Sequence, residues 1–538
     1  MASILRKAKI STYGASLTIR GLSTMNSRHV HTKPLINQQV AAAVTKDPAL
    51  DLSTAKPISE IPGPRIFPIV GSLPAMLLDK AYDIKRIHIF WNKLLDIYGP
   101  IVKFAIPGFG TMIAMSNPDD CETFSRITME YPERPPLMSI KKIRLDATEY
   151  YDNKTGILLE NGEEWKRVRS RVQTPMMKPK NVYAYVEKMD QVALDFMERI
   201  VAFQKEYGEM PSTFHTELHK WALESVALVA LNRRLGCLEA NLPQDSEAMT
   251  LIKETNSMFE NIAKCEFGPP FWRIKFLPSP TYNKLRKSHS EFLRVADQNI
   301  RQTEAQLLAK DPNSDEDLTL METLLLTPGL SRTDVVTLIL DMLVAGIETT
   351  SNALGFTLYL LARNPRVQRK LQDEVDSVIG NHSGPITAIH LGKMSYLKCV
   401  VKESLRVLPL AIGSARVLQK DAVLGGYHMP KGVIVMTLNY HMLQNEEYFP
   451  RAKEFLPERW ARDRPYGAIH PFTHMPFGFG TRMCIGRRIA EQELYTFLIR
   501  AMQRFNVDYK YKDMDVINRL FLMPADPLRF SFTERLKE

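Results

Sequence analysis

The chain has 538 residues, 45% hydrophobic and 24% charged, an ordinary globular composition that excludes a wholly disordered or fibrous protein. No uninterrupted apolar run approaches the roughly 18 residues that cross a bilayer, so no transmembrane helix is expected. Five scattered cysteines make no disulfide framework and fit a reducing compartment, while 70 Lys plus Arg against 60 acids give a net charge of +10 whose placement matters more than its sum.

From Met1 to Lys46 there is no Asp or Glu, whereas Arg6, Lys7, Lys9, Arg20, Arg28, Lys33 and Lys46 are basic and Ser and Thr are frequent. With an amphipathic helix over 4–19, this reads as an organelle import presequence, mitochondrial above all. A disordered basic tail is the plainer alternative. The expected organisation is a presequence over 1–46, a linker over 47–60 and one folded domain over 61–538.

Pro57, Pro62, Pro64, Pro68 and Pro74 punctuate an extended leading segment. Two β-rich runs, Ile101–Ile106 and Thr111–Ser116, flank Pro107-Gly108-Phe109-Gly110 and read as a hairpin. From Asp119 to about Leu408 the periodicity is mainly helical, with no linker or repeat. A long helix is expected from about Ser331 to Arg363, with Ser331 and Asp334 as its capping box. Strand character returns at Ala422–Leu424 and Val433–Leu438. The fold class is mainly α with a small β region contributed by both ends, in a single large domain.

The chemistry gathers at Cys484. It sits in the loop Phe477-Gly-Phe-Gly-Thr-Arg-Met-Cys484-Ile-Gly486, directly before a strong helix former that starts at Arg487. Backbone N–H groups and the dipole of a helix start favour a thiolate there. Gly478, Gly480 and Gly486 let the backbone turn and approach a flat ligand. Arg482 can pair with a carboxylate of that ligand. A zinc site with His470 and His474 is disfavoured, because Pro471 and Pro476 break the helix that the pair needs and no second cysteine lies near.

Phe477, Gly480, Arg482, Cys484 and Gly486 match a Phe-x-x-Gly-x-Arg-x-Cys-x-Gly pattern that resembles the haem-binding loop of cytochromes P450. Four further stretches match in order: Trp165 with Arg169, Ala345-Gly-Ile-Glu348-Thr349-Thr350, Glu403 with Arg406, and Arg416 in Ser414-Ala-Arg-Val. The resemblance implies a cytochrome P450 fold holding haem b. It makes Cys484 the axial iron ligand and sets Phe477, Trp165, Arg169, Arg416 and Arg482 against the cofactor. Glu348 and Thr349 are implied to deliver protons during O2 activation. Gly346 is expected to leave space for O2 and water along the long helix. Glu403, Arg406 and Arg459 are implied to be a structural network.

Lys398 and Lys402 share one helix face, and Arg487 and Arg488 follow the cysteine closely. In the mitochondrial branch of the family, lysines at the first two positions dock an acidic ferredoxin. The resemblance therefore implies a mitochondrial monooxygenase. Its electrons come from a 2Fe–2S ferredoxin (adrenodoxin-like), reduced by an NADPH-dependent reductase. Its place is peripheral, at the matrix face of the inner membrane. Segments 131–155, 267–276 and 410–413 and the apolar residues before Thr349 suggest a pocket for a lipophilic, sterol-like substrate. The aromatic, basic run Phe267–Phe276 reads either as a membrane-surface patch or as core. No nucleic-acid partner is expected. A haem-thiolate isomerase or dehydratase, and a haem sensor without turnover, are the competing functions.

Overall fold

A computed structural model describes residues 54–106, 110–268, 271–274, 277–310, 317–380 and 384–536. The expected presequence over 1–46 and the hairpin turn at 107–109 lie outside them.

The helix Arg332–Arg363 is the axis of the molecule. Ser331 Oγ accepts from the Asp334 N–H at 3.2 Å and Asp334 Oδ2 accepts from the Ser331 N–H at 2.7 Å, so the expected capping box is formed. Apolar residues surround this helix, which is why it is buried on nearly every side. Its first half, Val335 to Ile347, belongs to one large core with Leu251, Phe292 and Ile300. Its second half, Ala353 to Ala362, joins another with Phe196, Leu397 and Phe497.

The Phe214–Ala230 helix lies against the long helix and is buried along most of its length. The two approach closely at Gly346, where a β-carbon would come within 2.8 Å of Val226 Cγ2. Packing against the neighbouring helix is thus a second reason for glycine at a position that also stays partly accessible.

Both ends of the chain build one four-stranded sheet. Ile101–Ile106 pairs antiparallel with Gly110–Met115, which runs parallel to Ile434–Thr437, whose other edge takes Ser414–Val417 antiparallel. Ala422–Leu424 pairs with Tyr427–Met429. Lys56 and Pro57 pair in parallel with Tyr427 and His428, so the segment expected as a linker is already stitched to the body at residue 56. Two further antiparallel pairs, Phe505–Asp508 with Ser531–Glu534 and the hairpin Val516–Asn518 with Leu522–Pro524, follow the last helix. Among the described residues, no helix is long and apolar enough to cross a membrane.

Candidate active site

The cysteine loop is closed by its own backbone. The Gly478 N–H donates to Met475 O at 2.9 Å, the Met483 N–H to Gly480 O at 3.1 Å and the Cys484 N–H to Phe477 O at 2.8 Å. Gly478 and Gly480 have φ of +74° and +70°, the left-handed region that glycine enters without strain. Gly486 differs: its φ is −83°, and a β-carbon there would sit 4.0 Å from Cys484 Sγ. Its lack of a side chain keeps the flank of the sulfur clear and makes no turn.

Cys484 is solvent-accessible, yet the surrounding protein is dense enough to push its thiol up. A side chain meets both conditions when it faces a recess inside the molecule. The N–H groups of Gly486 and Arg487 donate to the sulfur and pull in the opposite direction, as do the guanidiniums of Arg134 and Arg169. The donors expected of the helix start are present, but burial outweighs them. A metal cation at the sulfur would complete the deprotonation.

Arg134, Arg169, Arg416 and Arg482 cluster beside this loop, and none makes an ion pair among the described residues. Arg482 donates to Pro132 O at 2.9 Å, to Asn161 Oδ1 at 2.8 Å and to Glu160 O at 2.6 Å, and its buried Nε has no partner among the described residues. Arg416 donates to Thr128 Oγ1 at 3.0 Å and Phe479 O at 2.9 Å, tying strand to loop. Arg134 donates to Arg482 O at 3.1 Å. Burial, then the other three guanidiniums, drops Arg482 to about 9. Burial likewise drops Arg416 and Arg169 to about 10. Buried like charges without counter-ions are costly, so this cluster suits a ligand carrying more than one carboxylate. Haem b, with two propionates and an iron for the sulfur, fits these residues. Trp165, buried on the same helix as Arg169, lies under the Arg482 guanidinium. Arg134 is the member that the sequence concealed; its one signal was an arginine between prolines in an aperiodic loop.

Midway along the long helix, Val344, Ala345, Gly346 and Thr349 are accessible although the surrounding turns are buried. Thr349 Oγ1 donates to Ala345 O at 2.7 Å. Glu348 turns to the other side and is buried, with Asn352 Nδ2 donating to its Oε1 at 3.3 Å. Burial raises its carboxyl to about 7. The adjacent pair therefore divides, threonine toward the recess and acid toward the Phe214–Ala230 helix. Glu493 is a second acid that the sequence did not mark: it is buried, bonded to Thr350 and raised to about 8 by burial.

Glu403 takes Arg406 Nη2 at 2.8 Å and Arg459 Nε at 3.0 Å, both on Oε1, while Trp460 Nε1 donates to Oε2 at 2.8 Å. All three charged side chains are fully buried. Beside this network Lys402 is exposed, whereas Lys398 is half-buried and donates to Gly392 O at 3.2 Å. Arg487 pairs with Glu491 at 2.9 Å and lies over the Phe477 ring, and Arg488 is half-buried. Arg406, Lys402 and Arg487 all hold half-buried His474 toward its neutral form, behind burial itself, so cations of two helices act on it together.

The profile of the family described as Cytochrome P450 matches residues 61–532. The chain belongs to the cytochrome P450 family. This P450 is 34% identical over 513 residues to a probable cytochrome P450 49a1 of Drosophila melanogaster, covering 92% of this chain and 85% of the relative. It is 31% identical over 516 residues, covering 94% and 93%, to a probable mitochondrial cytochrome P450 301a1 of the same fly. A probable mitochondrial cytochrome P450 12a5 from that organism is 32% identical over 511 residues, covering 92% and 94%. The protein is thus a monooxygenase with haem b as cofactor. When bound, haem supplies the O2-activating redox chemistry, and the protein supplies position, charge and exclusion of water.

Proposed function

We propose that this P450 works in mitochondria, imported by residues 1–46, and hydroxylates a lipophilic, sterol-like substrate with electrons from a 2Fe–2S ferredoxin and its NADPH-dependent reductase. Cys484 holds the haem iron. Arg134, Arg169, Arg416, Arg482 and Trp165 would hold the propionates, and Phe477 would line the cofactor site. Thr349 and Glu348 move protons during turnover. Lys398, Lys402, Arg487 and Arg488 receive the acidic ferredoxin.

The observation that carries the electron-donor reading is the meeting of Lys402 and Arg487 around His474. A positive face on the thiol side of the haem steers an acidic carrier to the short path for electrons. Half-exposed apolar residues at Leu410, Ala411 and Ile412 support a lipophilic substrate. Phe267, Ile274 and Leu277 are exposed, while Trp272 is buried and stacked on Tyr282, so the aromatic run divides between surface and core. The exposed half supports a peripheral contact with the matrix face of the inner membrane.

The test uses purified holoenzyme lacking residues 1–46. Reduction by a 2Fe–2S ferredoxin and its reductase, but not by a diflavin reductase, is the expected result; the reverse preference removes the mitochondrial assignment. A sterol and lipid panel read by the iron spin-state change assigns the substrate class. Product formation without O2 uptake would make the enzyme an isomerase.

A further inference from the structure

The Phe214–Ala230 helix lays two imidazoles against the long helix, and nothing above uses them. His219 is fully buried, and neither ring nitrogen has a hydrogen-bond partner among the described residues. Its Nε2 lies 3.4 Å from Glu348 Oε2, which is also buried and unpartnered. The approach lacks hydrogen-bond alignment. Burial lowers the imidazole, which is neutral, and raises the carboxyl to about 7, so its protonated form is well populated at neutral pH.

One turn earlier, the His215 ring lies 4.4 Å from that of His219, centroid to centroid. His215 Nε2 is 2.8 Å from Asn352 Oδ1, and Asn352 Nδ2 donates to the other oxygen of Glu348. His215 is only half-buried, so the row runs from the carboxyl to accessible space. Arg519, in the turn between Val516–Asn518 and Leu522–Pro524, is the cation acting on both His215 and Glu348. Each unpartnered buried polar atom costs about 1–3 kcal/mol, so several facing one another call for a role beyond packing.

We propose that His219 and His215 form a relay that reloads Glu348 with protons from solvent. This rests on the reading of Glu348 as a proton donor in turnover. An imidazole suits the task because one nitrogen can release a proton while the other takes one. After Glu348 has given up its proton, His219 Nε2–H passes one to the carboxylate Oε2. In the same step His219 Nδ1 takes one from the His215 side, so no imidazolate forms, and His215 recovers its own from water. Each histidine is neutral before and after, a ring flip restores the tautomer that the transfer exchanges in His219, and the net change is one proton moved from water to the carboxylate.

The experiment follows hydrogen–deuterium exchange of the Glu348 carboxyl in resting holoenzyme, by the infrared C=O band that Glu348→Gln removes. His219→Gln, which keeps polarity and nearly the size but cannot relay, should slow exchange at least tenfold with the band position nearly unchanged. His215→Gln should slow it several-fold. Exchange within twofold of wild type in His219→Gln overturns the relay. So does the absence of any band lost in Glu348→Gln. If His219→Gln fails to yield holoenzyme, the half-exposed His215→Gln decides by the same criterion. The measurement needs no turnover. A Glu348→Gln variant that still couples O2 consumption to product therefore removes the donor reading of Glu348 and leaves the exchange result standing.

Discussion

Arg482 holds its guanidinium over Trp165, 4.9 Å from the ring centroid, and leaves its Nε without a partner. This contact joins the cysteine loop to the Gly162–Met177 helix, and it does so within a cluster of cations that no ion pair neutralises among the described residues. The charge there is unbalanced in the polypeptide alone and balanced by a dianionic cofactor. The haem-free chain and the holoenzyme should therefore respond to the same substitution with opposite signs.

Arg169 is the cleanest member to test, because its nearest side-chain partner is Gln173 Oε1 at 3.3 Å. Burial lowers it to about 10. A cation whose folded value lies below its unfolded one opposes folding wherever it is charged, here below about pH 10, at a cost of roughly 3 kcal/mol. Arg169→Met should leave the haem-free chain equally or more stable in urea at pH 7. It should also speed haem loss to excess apomyoglobin about tenfold or more, as one charge-assisted bond to a propionate disappears. A destabilised haem-free chain with unchanged haem loss would make Arg169 structural.

Lys402 projects into solvent beside Glu403, which is buried, so reversing its charge leaves the fold alone. Lys402→Glu should slow reduction by ferredoxin about tenfold at low salt, with the difference narrowing as ionic strength rises, and should not alter substrate binding. Lys398→Glu should do less, because that amine is already engaged with Gly392 O. Stopped-flow reduction across a salt series measures both. Equal rates for wild type and Lys402→Glu at low salt would move the docking face elsewhere.

The legible parts of this molecule were those written locally. Ser331 and Asp334 announced the long helix, and the glycine-rich run with its arginine announced Cys484. What stayed hidden depends on pairs far apart in the chain. Arg134 meets Arg482 across 348 positions, and His219 meets Glu348 only because two helices are pressed together. The sheet edge between Gly110–Met115 and Ile434–Thr437 is of the same kind. Strands of three or four residues near the carboxyl end carry too little alternation to register. The packing at Gly346 was hidden because a glycine inside a helix looks the same whether a ligand or a neighbouring side chain needs the space.

Glu493 makes a pH prediction. Burial raises its carboxyl from 4.5 to about 8. An acid raised on folding is harmless below its unfolded value, where both states hold the proton. It then withdraws stability as pH climbs through the folded value. Glu493→Gln should match the wild type in urea near pH 4.5 and gain progressively toward pH 8–9, by up to ~4 kcal/mol. A gain that does not vary with pH would mean that the carboxyl titrates alike in the folded and unfolded chain.

Gly346 distinguishes space for a ligand from space for a helix. Alanine favours a helix by about 1 kcal/mol over glycine, so Gly346→Ala should stabilise the protein if the position were free. Instead its β-carbon would come within 2.8 Å of Val226 Cγ2, and overpacking of this kind costs about 1–3 kcal/mol. Val226→Ala alone should also destabilise, by leaving a small cavity. Combined, the two changes should cost at least ~1 kcal/mol less than their sum, since each relieves the defect that the other creates. Urea unfolding of the four holoenzymes closes this cycle. Strict additivity would return Gly346 to the oxygen side of the helix, because a methyl group intruding on bound O2 has no reason to be rescued by a smaller residue on the Phe214–Ala230 helix.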